Sequence, residues 1–274
     1  MTTTTYERPA ARVAPGLSFG RVLKSELIKF RSLRSTWITF AVALLIADGL
    51  GLLVAGLRAS DFHSHPLGRD HVLDAVGDPL HGLLFAQLAI GVVGVLYVTG
   101  EYATGSIRSS MTAVPKRTPV LLAKATVLAA VTGVVALAMT FIAFFAGQAI
   151  LSTWGYNVSL GHAGALRAVT GSALYIVCVA VIGLGIGFAI RSTGGAIATL
   201  FGLILILPPI ASALPSSWQD NINKFLPLNI ATNMMSSGSP GTHDLSNAWG
   251  AIMLVIYAIA ALAIGLTVLK RRDV

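Results

Sequence analysis

Charge is what this 274-residue sequence has least of: Asp, Glu, Lys and Arg make up 11% of it, where a soluble domain carries about 25%. That excludes an ordinary water-soluble globule. Cysteine occurs once, as Cys178 inside an apolar stretch, so no disulfide, cysteine zinc cluster or thiol redox pair forms within the chain. No segment has the glycine-rich phosphate loop followed by Lys and Ser or Thr. Gly194 and Gly195 come without a lysine or a preceding strand, so ATP hydrolysis by that route is excluded. Two histidines flanking a glutamate, as zinc proteases need, are absent as well. Gly16-Leu17-Ser18-Phe19-Gly20 matches the nucleophile-elbow pattern by letter, but no strand precedes it and no sheet holds a His and an acid nearby. Ser18 reads instead as the N-cap of a helix, and no enzyme is expected.

What the sequence has in abundance is long apolar runs: 55% of residues are hydrophobic. Six runs cover residues 37–57, 80–99, 125–151, 168–190, 196–214 and 249–269. Each is long enough to cross a hydrocarbon core, which takes roughly 20 helical residues. The expected fold is therefore an all-α polytopic membrane protein with six transmembrane helices. A cleaved signal peptide does not fit, because the first run is too long for an h-region and follows a long polar segment.

The basic residues give the orientation. Of 19 Lys and Arg, all but Arg58, Arg69, Arg167 and Lys224 fall before span one, between spans two and three, between four and five, or after six. Cations near span ends stay on the cytoplasmic side. Both termini are thus expected in the cytoplasm, in a multi-pass protein of the cytoplasmic (plasma) membrane. The net charge of +8 then belongs to a lipid bilayer, with no nucleic acid as partner.

Residues 1–18, Thr-rich with Pro9 and Pro15, read as a disordered tail, and 19–36 as an amphipathic interfacial helix. Phe19, Val22, Leu23, Leu27, Phe30, Leu33 and Trp37 recur on one face, with Arg21, Lys24, Lys29 and Arg31 mostly on the other. Such a helix lies flat on the inner leaflet. Glu26 falls inside the apolar stripe. Either it pairs with Lys29 or Arg34 or snorkels to water, or this part of the helix docks on another cytoplasmic element. Residues 37–274 would form the transmembrane domain.

The segment after span two reads Gly100-Glu101-Tyr102-Ala103-Thr104-Gly105-Ser106-Ile107-Arg108, and Pro115 and Arg117 follow. Two glycines bracket a polar turn, after which Ile107 and Met111 pair at i, i+4 on a short helix. A compact charged helix under the membrane can receive force from a soluble partner. Glu101, Gly105, Ser106, Ile107 and Arg108 resemble, in order, the second cytoplasmic segment of permease subunits of type 2 ATP-binding-cassette (ABC) transporters. The basic lead-in helix with Ser25-Glu26-Leu27-Ile28-Lys29, the six spans and the long outer segment before span six extend the resemblance over the whole chain. It implies an exporter permease for an apolar or amphipathic substrate, paired with a second copy or a paralogue and driven by a separate ABC ATPase subunit that holds ATP and Mg. Glu101, Tyr102, Gly105, Ser106, Ile107 and Arg108 would then be the ATPase-coupling residues. The competing class is a membrane assembly or sensor-partner protein that transports nothing.

Within the spans, Asp48 is the one acid, and a charge at that depth must face protein or a wet cavity, which makes it a candidate for the translocation path. Gly91 and Gly94 in span two, and Gly183, Gly185 and Gly187 in span four, allow tight helix crossings. Pro208 and Pro209 are expected to kink or end span five. The outer segment 215–248 carries Trp218, Phe225, Leu226, Pro227 and Leu228, which predicts a short re-entrant or interfacial helix. In the first outer loop, His63, His65, His71 and His81 accompany Asp61, Asp70, Asp74 and Asp78. Asp78-Pro79 has the form of an N-cap and first helical residue, which breaks any continuous helix there, so a hydrated loop without metal is expected.

Overall fold

The structure, a computed structural model, describes residues 18–64, 73–113, 117–242 and 244–271. Every regular element among them is helical: α1 (Phe19–Ser32), α2 (Arg34–Ser64), α3 (Gly77–Leu80), α4 (Leu83–Thr104), α5 (Ser106–Ala113), α6 (Arg117–Ser152), α7 (Ala165–Ile190), α8 (Thr193–Phe201), α9 (Leu207–Ser212), α10 (Ser216–Ile222), α11 (Pro227–Met235) and α12 (Asn247–Arg271). Six candidate membrane spans result, formed by α2, α3 with α4, α6, α7, α8 through α9, and α12. The protein is an all-α, multi-pass membrane protein. The expected tail lies outside the described residues apart from Ser18, whose carbonyl accepts from the Arg21 and Val22 amides.

The helices outrun the apolar stretches at most ends, because a helix continues past the hydrocarbon into charged turns that hydropathy leaves out. Helix α7 is the centre of the bundle, 72% buried across its most apolar window, with α4, α6, α8, α11 and α12 packed around it. Small residues make this possible. A methyl on Gly94 would land on the Ala180 carbonyl, and one on Gly183 on the Gly91 carbonyl, so α4 and α7 touch backbone to backbone. Gly185 meets Ala261 of α12 in the same way.

Span five neither ends at its prolines nor breaks. A π-helical segment, Gly202–Ile206, precedes them, and α9 resumes with Pro208 and Pro209 in its first turn, where a missing N–H costs least. The chain then folds back. Tyr257 Oη donates to the Phe225 carbonyl at 2.8 Å, and Tyr257 lies ten residues, about 15 Å, down α12 from Asn247. From there α11 climbs between α7 and α12 until Met234 touches Gly171. Helices α10 and α11, joined by a 3-10 turn at Asn223–Phe225, therefore form a re-entrant hairpin.

At this outer end Asp74, not Asp78, caps α3: its Oδ1 accepts from the Val76 and Gly77 amides at 3.1 and 2.9 Å. The same carboxylate accepts from Ser237 Oγ and N, tying the first outer loop to the segment after α11. Burial pushes its pKa up, but these donors and Ser236 more than offset that and leave it below the ordinary value. Asp78, read from sequence as the cap, is fully buried and paired with Arg58 at 3.0 Å. The cap moved because Asp74 reaches two free amides that Asp78, inside the helix, cannot.

Candidate functional site

The opposite end of the bundle carries α1, α5 and the final turn of α12, the end where the charge pattern leads one to expect the cytoplasm. Helix α1 buries Val22, Glu26 and Phe30, residues one turn apart, against α6 and α4. Of the stripe expected to face lipid, Val22 and Phe30 face protein while Phe19, Leu27, Leu33 and Trp37 stay exposed, and Glu26 is 2% exposed. Both readings of Glu26 meet in one place, for it pairs with Lys29 at 2.9 Å and docks on a distant element as well.

That element is α6, whose Lys124 has no solvent exposure at all. Its ammonium lies 2.8 Å from Glu26 Oε2 and 2.8 Å from Glu101 Oε1, in the last turns of α4. Lys29 reaches the same Glu101 oxygen at 3.3 Å. Tyr97, one turn before Glu101, donates to Glu26 Oε2 at 3.1 Å, and its ring lies under the Lys124 ammonium at 4.3 Å. Two carboxylates and two ammoniums thus cancel. Phe30 packs edge-on against Tyr97 at 4.9 Å, with Trp37 and Phe40 behind it. The result is a neutral, aromatic-walled cluster joining α1, α4 and α6.

Its electrostatics follow from that geometry. Burial raises the Glu26 pKa, but the Lys124 and Lys29 ammoniums outweigh it and hold the carboxyl below 4.5. Lys29 loses by burial and gains more from Glu26 and Glu101, so its ammonium is held above 10.5. A lowered carboxyl stabilises docking above its unfolded pKa and stops doing so as pH falls through the folded value. A raised ammonium does the reverse, stabilising below 10.5 and failing as pH rises further. With Lys29 41% exposed, its share is small. Docking of α1 is therefore expected to be flat across neutral pH and to fail only below 4.5. A fluorophore on an Ile28→Cys, Cys178→Ser protein reads this directly; release near pH 6 would contradict it.

Glu101 also roots the next element. Helix α4 ends at Thr104, and Gly105 adopts φ +71, left-handed backbone that costs glycine little. The chain turns into α5, where Ile107 is buried and Ser106 and Arg108 are exposed. The Tyr102 ring lies 5.4 Å from the Arg191 guanidinium, and Arg191 donates to the Val268 carbonyl at 3.3 Å. Arg117 donates to the Leu269 carbonyl. Cations from α6 and the α7 terminus thereby cap the last carbonyls of α12.

The structure brings together Glu26, Lys29, Glu101, Tyr102, Gly105, Ser106, Ile107 and Arg108 at one end. Arg31 and Arg34 are exposed and stand outside the cluster. Asp48 is remote from it, half-buried in α2, with Oδ1 covered and accepting no hydrogen bond among the described residues. Lys124 and Tyr97 are the members that sequence reasoning missed. A signal existed in Leu121-Leu122-Ala123-Lys124-Ala125, where a cation inside an apolar run calls for a buried partner. At the outer end, His63 stacks near Trp154 at 5.1 Å, and no group of three potential metal ligands occurs among the described residues; His65, Asp70 and His71 lie outside them.

Six spans, a docked N-terminal helix and a re-entrant outer hairpin define a multi-pass membrane protein with an elaborated surface at each end. It belongs to a family described as protein of unknown function (DUF2705), whose profile matches residues 78–274. That match includes Tyr97, Glu101, α5 and Lys124, and leaves out α1 and α2. No curated protein matches the chain.

Proposed function

We propose that this protein is the permease subunit of an ABC exporter in the cytoplasmic membrane, driven by a separate ATPase subunit that holds ATP and Mg. A second copy or a paralogue completes the path for an apolar or amphipathic substrate. The observation that carries this reading is the construction of α5. An eight-residue helix hangs below the membrane with Ser106 and Arg108 facing water, while its root, Glu101, is locked to α1 and α6 through Lys124. A push on α5 would reach three elements at once instead of bending one loop. Export, as against import, comes from the resemblance of residues 101–108 to type 2 permeases.

Arg108 is the residue to test, because its exposure separates contact from folding. Reversing it with Arg108→Glu sets like charge against a partner selected for the opposite sign, at several kcal/mol. Co-expressed with an ABC ATPase subunit that co-purifies with the unaltered protein, the variant is expected to insert normally and to lose at least about tenfold in substrate-stimulated ATP turnover and efflux. Unchanged turnover with unchanged co-purification would reject the coupling role and favour a membrane protein that transports nothing.

A further inference from the structure

Between α7, α12 and the widened π-turn of span five lies a cavity of about 680 Å³, within the range of dedicated ligand sites. Its walls are aliphatic, from Ile182, Ile186, Leu203 and Ile264 among others, and its upper end is closed by the hairpin tip at Ile222–Pro227. The one wall group with a phenol, Tyr257, is already committed to the Phe225 carbonyl. The tip between these lining residues is Asn223-Lys224. Its depth follows from the Tyr257 bond, made by a side chain rooted about 15 Å down α12 from Asn247, and from the walls it shares with Ile182, Ile186 and Ile264, which place the tip inside a hydrocarbon layer roughly 30 Å thick. Lys224 is half-buried there; among the described residues it makes no hydrogen bond or ion pair, and its only contact of note is the Phe225 ring, 5.5 Å away. A cation at that depth calls for an anion.

We propose that this cavity binds an amphiphile with one long hydrocarbon chain and an acidic headgroup, the chain between α7 and α12 and the headgroup at Lys224. The inference stands on the cavity and the hairpin alone and is independent of any ATPase. The occupant can come from two sources, a free long-chain acid or an anionic phospholipid. Both share the chemistry that Lys224 selects.

The test uses the full chain in nanodiscs of neutral phosphatidylcholine, with one photoactivatable diazirine chain carried in turn by a fatty acid, by phosphatidylglycerol and by phosphatidylcholine. Peptides from residues 182–190 and 257–264 are expected to label with one or both acidic probes, at least about tenfold above the phosphatidylcholine probe. Whichever acidic probe labels names the source. Lys224→Gln is expected to abolish that preference. Ala189→Phe with Ala260→Phe, two small wall residues enlarged, is expected to remove the labelling while leaving unchanged the labelling of Leu45 and Leu53 on the lipid-facing side of α2. Since that α2 labelling also reports correct insertion, a double variant that fails to insert is replaced by Ala260→Phe alone. Equal labelling by all three probes, labelling no stronger than that of α2, or a preference that survives Lys224→Gln would overturn the proposal.

Discussion

Lys124→Met is expected to destabilise the protein by about 3–5 kcal/mol, the range measured when one partner of a buried ion pair is removed. The ammonium is wholly buried and is the nearest cation to both Glu26 and Glu101. Without it, two covered carboxylates face each other with only the half-exposed Lys29 between them. Thermal unfolding in detergent measures the loss, and trypsin cleavage within α1 reports whether the arm has let go. The same physics predicts recovery. Replacing the three buried members, as Glu26→Leu, Lys124→Met and Glu101→Met, leaves only Lys29, which is 41% exposed and can turn to water, and is expected to return most of the stability, because an apolar set of similar volume is often neutral or better. If the triple variant is no more stable than Lys124→Met, the destabilisation comes from packing and the electrostatic account fails.

Gly94→Ala is expected to cost at least about 1–3 kcal/mol, the usual range for overpacking, because the obstacle is main chain that no rotamer change can move. The added methyl would meet the Ala180 carbonyl and, at 3.1 Å, the Leu184 amide nitrogen. Helices α4 and α7 would have to part along the central seam of the bundle, and in lipid no hydrophobic force brings them back. Gly49→Ala and Gly100→Ala serve as controls, since a methyl at either position finds nothing within 4 Å. Those two are expected to be neutral or slightly stabilising, as alanine is the better helix former. A Gly94→Ala melting temperature equal to that of the controls would show that the seam tolerates separation.

The six spans were legible because hydropathy acts over about twenty residues and needs no knowledge of neighbours. Residues 215–248 were legible for a related reason, since Phe225, Leu226 and Pro227 have no use in a wholly solvated loop. The orientation of α1 was legible only in part. Its periodicity is plain, but a stripe of Val22 and Phe30 presents the same hydrocarbon to an acyl chain as to α6, and only Glu26 hinted at protein. Lys124 was counted as a boundary charge because the apolar run resumes after it; α6 in fact begins at Arg117, which carries Lys124 two turns into the helix. The cluster joins side chains from three elements far apart in the chain, and no local window contains it. Pro208 and Pro209 suggested a kink or an end; the span runs on to Ser212, through a π-turn before them that no residue type announces.

The ion cluster at residues 26, 101 and 124 also sets an order of events. A ribosome releases Glu26 long before Lys124 exists, so the first helix emerges with Lys29 as its carboxylate's one partner from the cluster and no site on α6 to receive it. Its docking site is complete only once the third hydrophobic segment, α6, has been made. Seating of this helix is thus a late step in biogenesis, and it signals that half of the bundle is already in place.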